Sequence, residues 1–66
     1  MGWWRRLLYR QLIRSTAWAL RHEVTTDKMR DMLARSFGHR PPQWREDVLE
    51  QALAVNRSRL MARINA

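Results

Sequence analysis

The chain offers few side chains that could perform covalent chemistry. Ser15, Ser36 and Ser58 would each need a neighbouring base to act as nucleophiles, and His22 and His39 are the histidines available for that role. None of the serines stands in the strained strand-to-helix turn that exposes a nucleophilic hydroxyl. Glu46 and Asp47 are adjacent, so on a helix their carboxylates point about 100° apart and cannot share acid–base work. Gly2 and Gly38 are the only glycines, too few to build a phosphate-cradling loop. Cysteine is absent and the histidines lack i, i+4 spacing, so disulfides and a structural zinc site are not expected either. The chain reads as a binding protein without catalytic apparatus.

Its chemistry lies in arginine. Thirteen basic residues stand against six acidic ones, a formal charge of +7, and twelve of the thirteen are arginine. Arginine makes bidentate contacts to carboxylates and phosphates where lysine acts as a point charge. The expected partner is acidic: a protein surface, a nucleic acid or an anionic membrane. The first 22 residues hold Arg5, Arg6, Arg10, Arg14 and Arg21 and no acid, the pattern of mitochondrial targeting segments. The same stretch also reads as a structural helix, so any targeting is expected without removal. No run of about 18 apolar residues could span a membrane.

Sixty-six residues make one domain, 1–66, with a marginal core, since such a chain buries only about 60% of its unfolded surface. Without disulfide or metal, a partner is the expected source of further stability. Four prolines and glycines in all, with abundant alanine, leucine and arginine, predict an all-α fold. Three helices are expected, at about 3–22, 26–37 and 42–65, in an up-down-up bundle. In the first, Leu8, Leu12 and Ala19 form one stripe, extended by Tyr9, Ile13 and Leu20. Arg6, Arg10, Arg14 and Arg21 gather on a second side, and Trp3, Trp4, Leu7 and Trp18 on another sector. A helix apolar over more than half its circumference must be covered on more than one side, which predicts a second binding face.

Thr25 or Thr26 is the expected N-cap of the second helix, with Met29, Met32, Leu33, Ser36 and Phe37 on its apolar face and Gly38 after its end. Its outer face is expected to pair Asp27 with Arg30 and Asp31 with Arg35. Pro41-Pro42 should restrict the next connection and open the third helix. That helix carries two stripes. Trp44, Val48, Ala52 and Val55 form one, and Leu49, Leu53, Leu60 and Ile64 the other; one stripe can face the first two helices, and the other is expected to need a different cover.

The stretch Leu7-Leu8-Tyr9-Arg10-Gln11-Leu12-Ile13-Arg14 resembles the LYR-motif family of small mitochondrial three-helix proteins. The match consists of Leu8, Tyr9 and Arg10, a second arginine at Arg14, and Phe37 near the end of the second helix. It extends over nearly the whole chain in the order and length of its helices. The chain is shorter than many members. Gly38-His39-Arg40-Pro41-Pro42 follows the phenylalanine where the family has a polar run with aspartate, which bears on the subfamily.

The resemblance implies a protein of the mitochondrial matrix, or of the matrix face of the inner membrane, that binds acyl carrier protein. Tyr9, Arg10, Arg14, Arg6, Arg35 and Arg40 are then the expected contacts to the carrier's acidic surface. The carrier's acyl-phosphopantetheine, the one cofactor implied, would enter a tunnel among Leu8, Leu12, Met29, Leu33, Phe37 and Leu53. Trp3, Trp4, Trp18 and Trp44 are the expected docking surface, tryptophan being enriched at interface hot spots. Family members serve as accessory subunits or assembly factors of respiratory complexes, or on the mitochondrial ribosome, and a respiratory-chain host is the first expectation. The rival reading is a small ribosomal or RNA-binding protein, which the pI near 11.7 favours. A membrane-surface helix is a third, disfavoured because all three helices have apolar faces that can cover one another.

Overall fold

A computed structural model describes residues 2–65 and consists of three α-helices: α1 (Gly2–His22), α2 (Thr26–Ser36) and α3 (Pro42–Asn65). These bounds fall within a residue of those expected from the sequence. Each end has a local cause. At the end of α1 the backbone N–H groups of Glu23 and Val24 both donate to the Ala19 carbonyl, at 2.9 and 3.0 Å. Thr25 then caps α2, its hydroxyl accepting from the Lys28 N–H at 3.2 Å while its own backbone stays extended. Phe37 closes α2 by donating its N–H to the Leu33 carbonyl at 2.8 Å.

Gly38 follows, as expected, but not in a left-handed conformation: no described glycine has positive φ. Its smallness has a steric cause instead. A Cβ there would stand 2.9 Å from the Ala34 carbonyl oxygen, inside the contact limit. Pro42 begins α3 without losing a hydrogen bond, because its missing N–H would have had no partner in the first turn.

Helix α3 is the central element, with α1 and α2 packed against it and touching one another only slightly. Val48 and Ala52 are fully buried and Leu49 nearly so. The two stripes of α3 divide this work. Trp44 reaches Tyr9 of α1, ring centroids 5.7 Å apart, and Asn56 donates its side-chain amide to the Ala17 carbonyl at 3.1 Å. Leu49, on the other stripe, joins Met29 and Leu33 of α2 in the core. Thus neither stripe as a whole awaits an outside cover: α1 meets the first, and α2 covers the first turn of the second. Only where α2 ends do Leu53, Leu60 and Ile64 emerge, the last of them 67% exposed.

The ion pairs of α2 are those anticipated, Arg30 with Asp27 and Arg35 with Asp31, each at 3.3 Å. One more was not. Arg30 also grips Glu46 with two nitrogens, at 3.0 and 3.3 Å, and so sets the register of α2 on α3.

The radius of gyration, 12.7 Å, exceeds the roughly 11 Å of a compact domain this long. The excess comes from α3. Its parallel alignment with α1, Trp44 beside Tyr9 and Asn56 beside Ala17, carries the last turn of α3 past the end of α1. The extents, 40 × 29 × 17 Å, describe a slab with a thin core.

A thin core makes each buried side chain count. Leu49→Ala should cost about 2–5 kcal/mol, a large share of the stability of so small a domain. Leu60→Ala, on the exposed end of the same stripe, should shift stability by no more than about 0.5 kcal/mol. Urea denaturation followed by helical circular dichroism distinguishes the two, and equal losses would contradict the packing described.

Candidate functional site

Where α1, the α2–α3 connection and the start of α3 meet, they leave an open groove of about 570 Å³. Leu8, Tyr9, Leu12, Phe37 and Trp44 line it, and Arg5, Arg6 and Arg40 stand on its rim. Its aromatic wall is continuous. The Trp44 ring lies 5.7 Å from Tyr9 and 5.4 Å from Phe37, both tilted. The Arg40 guanidinium sits over the Trp44 ring, 5.0 Å from its centroid, a cation–π contact worth about 0.5–1 kcal/mol at such an exposed place.

The wall depends on Arg45. From the first turn of α3 this side chain reaches back over the connection and donates to the Phe37 carbonyl at 3.2 Å and the Arg40 carbonyl at 2.6 Å. Those two bonds hold the backbone from which Phe37 and Arg40 project. Arg45 went unremarked in the sequence because its partners are carbonyls, which carry no residue-type signal.

The electrostatics of the groove are one-sided. No acidic residue lines it, and among the described residues Arg5, Arg6 and Arg40 form no salt bridge. The Tyr9 phenol is held above its ordinary pKa, first by burial and then by the nearby negative charge of Asp47. Asp47 is itself oriented by Gln43, whose amide donates to it at 2.9 Å.

Of the expected carrier contacts, the structure therefore gathers Tyr9, Arg6 and Arg40, and adds Arg5, which the motif did not single out. Arg10 lies beside the groove, in a neighbouring depression with Trp3, Arg6, Leu7 and Tyr9. Arg14 lies further along α1, in a second groove against α3 with Trp18, Arg21 and Arg59. Arg35 lines neither groove; it is exposed on α2 and paired with Asp31.

The expected tunnel residues divide in the same way. Leu8, Leu12 and Phe37 line the open groove, Met29 and Leu33 are buried in the core, and Leu53 sits half-exposed on α3 beyond it. Leu8 is 65% exposed and forms the lip, although it shares a stripe with the half-buried Leu12 and Ala19. Trp44 is separated from the other tryptophans: Trp3, Trp4 and Trp18 lie on the outer surface, while Trp44 is the groove's wall. No family model, curated protein or solved structure gives a match to this chain.

Tyr9 is the only tyrosine, so its titration can be followed alone by phenolate absorbance. It should ionise above the ordinary value of about 10. Because the fold favours the neutral phenol, the associated stability is complete below that ordinary value and falls as pH rises through the folded one. Asp47→Asn should lower the midpoint without returning it to the ordinary value, since burial is the larger cause. An unchanged midpoint would remove Asp47 from the groove's electrostatics.

Proposed function

We propose that this protein is an adaptor that binds acylated acyl carrier protein and attaches it to a large mitochondrial complex, a respiratory-chain complex before the mitochondrial ribosome. One observation carries the reading: an apolar groove whose rim holds three arginines and whose lining holds no acid. Its ligand must be apolar at the centre and anionic around it. An acyl chain ending in phosphopantetheine, presented by an acidic carrier, has that distribution. The volume lies within the roughly 300–1,000 Å³ usual for ligand sites.

In this reading Leu8, Leu12, Phe37 and Trp44 take the alkyl chain. Arg40, Arg5 and Arg6 take the phosphate and the carrier's carboxylates, as charge-assisted pairs stronger than neutral hydrogen bonds. Arg10 and Arg14 extend the basic surface along α1. The carrier would close the open side of the groove, which no described residue covers. Deeper entry of the chain would require Met29 and Leu33 to part, and methionine's unbranched side chain repacks readily. The resemblance around Leu8-Tyr9-Arg10, with Arg14 and Phe37, supports the same assignment. Attachment to the host falls to apolar surface away from the groove, such as the emergent end of α3, where Leu60, Met61 and Ile64 are exposed.

The test is recovery of tagged full-length protein from mitochondria, with intact-mass analysis of small acidic proteins that accompany it. A carrier bearing phosphopantetheine plus a fatty-acyl mass is expected. Arg5→Glu with Arg40→Glu, or Leu8→Asp at the exposed lip, should weaken its retention at least about tenfold, equivalent to 1.4 kcal/mol. Arg35→Glu, remote from the groove, should leave it unchanged. Recovery of RNA or ribosomal proteins without a carrier would overturn the assignment.

A further inference from the structure

The face of α1 turned away from the core is not used by the groove. Trp3, Trp4, Leu7 and Trp18 are 56%, 54%, 50% and 52% exposed. At about 100° per residue they fall within an arc of roughly 100°, centred opposite the half-buried Tyr9, Ile13 and Leu20. The three indoles are spread over about 22 Å of helix, two stacked at 4.6 Å near its start and one near its end. Arg10 and Arg21 run along one border of the arc, Arg14 lies just inside it, and α1 contains no acidic residue.

We infer that this face of α1 lies on an anionic lipid surface. Tryptophan prefers the boundary between headgroups and acyl chains, where an apolar ring and a polar N–H are both accommodated. An amphipathic helix sinks its apolar face about 5–10 Å into that boundary, and flanking cations add attraction to anionic headgroups. The arrangement fits a planar ligand better than a protein one. Trp3, Trp4 and Leu7 lie on the convex back of a single helix, and Trp18 stands exposed at the edge of the second groove against α3. Gln11 and Arg14 are the polar side chains between the indoles along the arc. A row of arginines a turn or two apart, with no acid among them, matches a sheet of phosphates without a fixed register. No helix of the described residues is long and apolar enough to cross a membrane, so the contact is superficial. The disfavour that the sequence placed on this reading rested on the three apolar faces covering one another. On α1 they do not: α3 covers the opposite side.

This inference shares Arg10 and Arg14 with the carrier reading but not its groove, and it is tested without any carrier. Full-length protein is floated with vesicles of equal phosphatidylglycerol and phosphatidylcholine, and with vesicles of phosphatidylcholine alone. Association with the anionic vesicles, with a blue shift of tryptophan emission, is expected. Trp3→Ser with Trp4→Ser should reduce association at least about tenfold while leaving circular dichroism unchanged, since both rings are exposed. Arg10→Gln with Arg14→Gln and Arg21→Gln should abolish the preference for anionic lipid. Three results would overturn the inference: equal association with both vesicle types, association indifferent to the tryptophan pair, or a face that the tryptophan pair shows to bind polyuridylate but not vesicles.

Discussion

Everything in this molecule depends on how closely α1 and α3 approach. Ala17 and Ala52 are both fully buried, and Thr16 almost so, which leaves the two backbones little side chain to hold them apart. The approach is close enough for Asn56 to donate to the Ala17 carbonyl, inside a helix whose carbonyls are otherwise engaged with their own backbone. Arg21 then donates to the Asn56 oxygen at 2.8 Å, fixing the amide's orientation. Small residues in the middle force large ones to the ends. At one end Tyr9 and Trp44 meet across the same pair of helices, and the space their rings prop open is the groove. At the other end α1 stops and α3 continues alone, with its leucine stripe bare.

The groove is consequently a product of the fold's edges and owes little to its core. Its lip is an early turn of α1, its far wall the connection between α2 and α3. A connection is ordinarily the most mobile part of a small bundle. Here it is tied down three times: by the Phe37 cap, by the Arg45 bonds to Phe37 and Arg40, and by the proline pair. Arg40 is fixed further by lying over Trp44. The positive rim is thereby presented in a set geometry, which lowers the ordering cost of binding an anion.

Local physics was legible in the sequence, and long-range choice was not. The helix bounds, the Thr25 cap and the i, i+3 and i, i+4 ion pairs of α2 depend on neighbours along the chain, and spacing reveals them. The division of α3's two stripes between α1 and α2 depends on the order of packing around it, which no single helical wheel contains. Leu8 looked internal because it is apolar and periodic with Leu12; it lies on the lip because the early turns of α1 meet only the first turn of α3. Trp44 looked like the other tryptophans by type, and only its distance to Phe37 and Tyr9 set it apart. Of the residues that the resemblance implies around an acyl chain, Met29 and Leu33 sit in the core, while Leu8, Leu12 and Phe37 line the open groove.

The division of charge carries a further consequence. All six acids lie after α1, so the arginines of α1 repel one another along the helix with no carboxylate of their own element to relieve them. Such a helix is held by packing against α3, and by whatever anions it meets. The groove's arginines and those bordering the tryptophan face belong to the same helix, within a Debye length of one another at the Arg6–Arg10 step. An anion bound at either set lowers the positive potential at the other, so an anionic ligand on one side weakens binding of an anionic ligand on the other. By linkage the effect is reciprocal and needs no change of shape. A 66-residue chain with so small a core has little stability to spare for a mechanical switch, but it can couple two surfaces through charge on the helix they share.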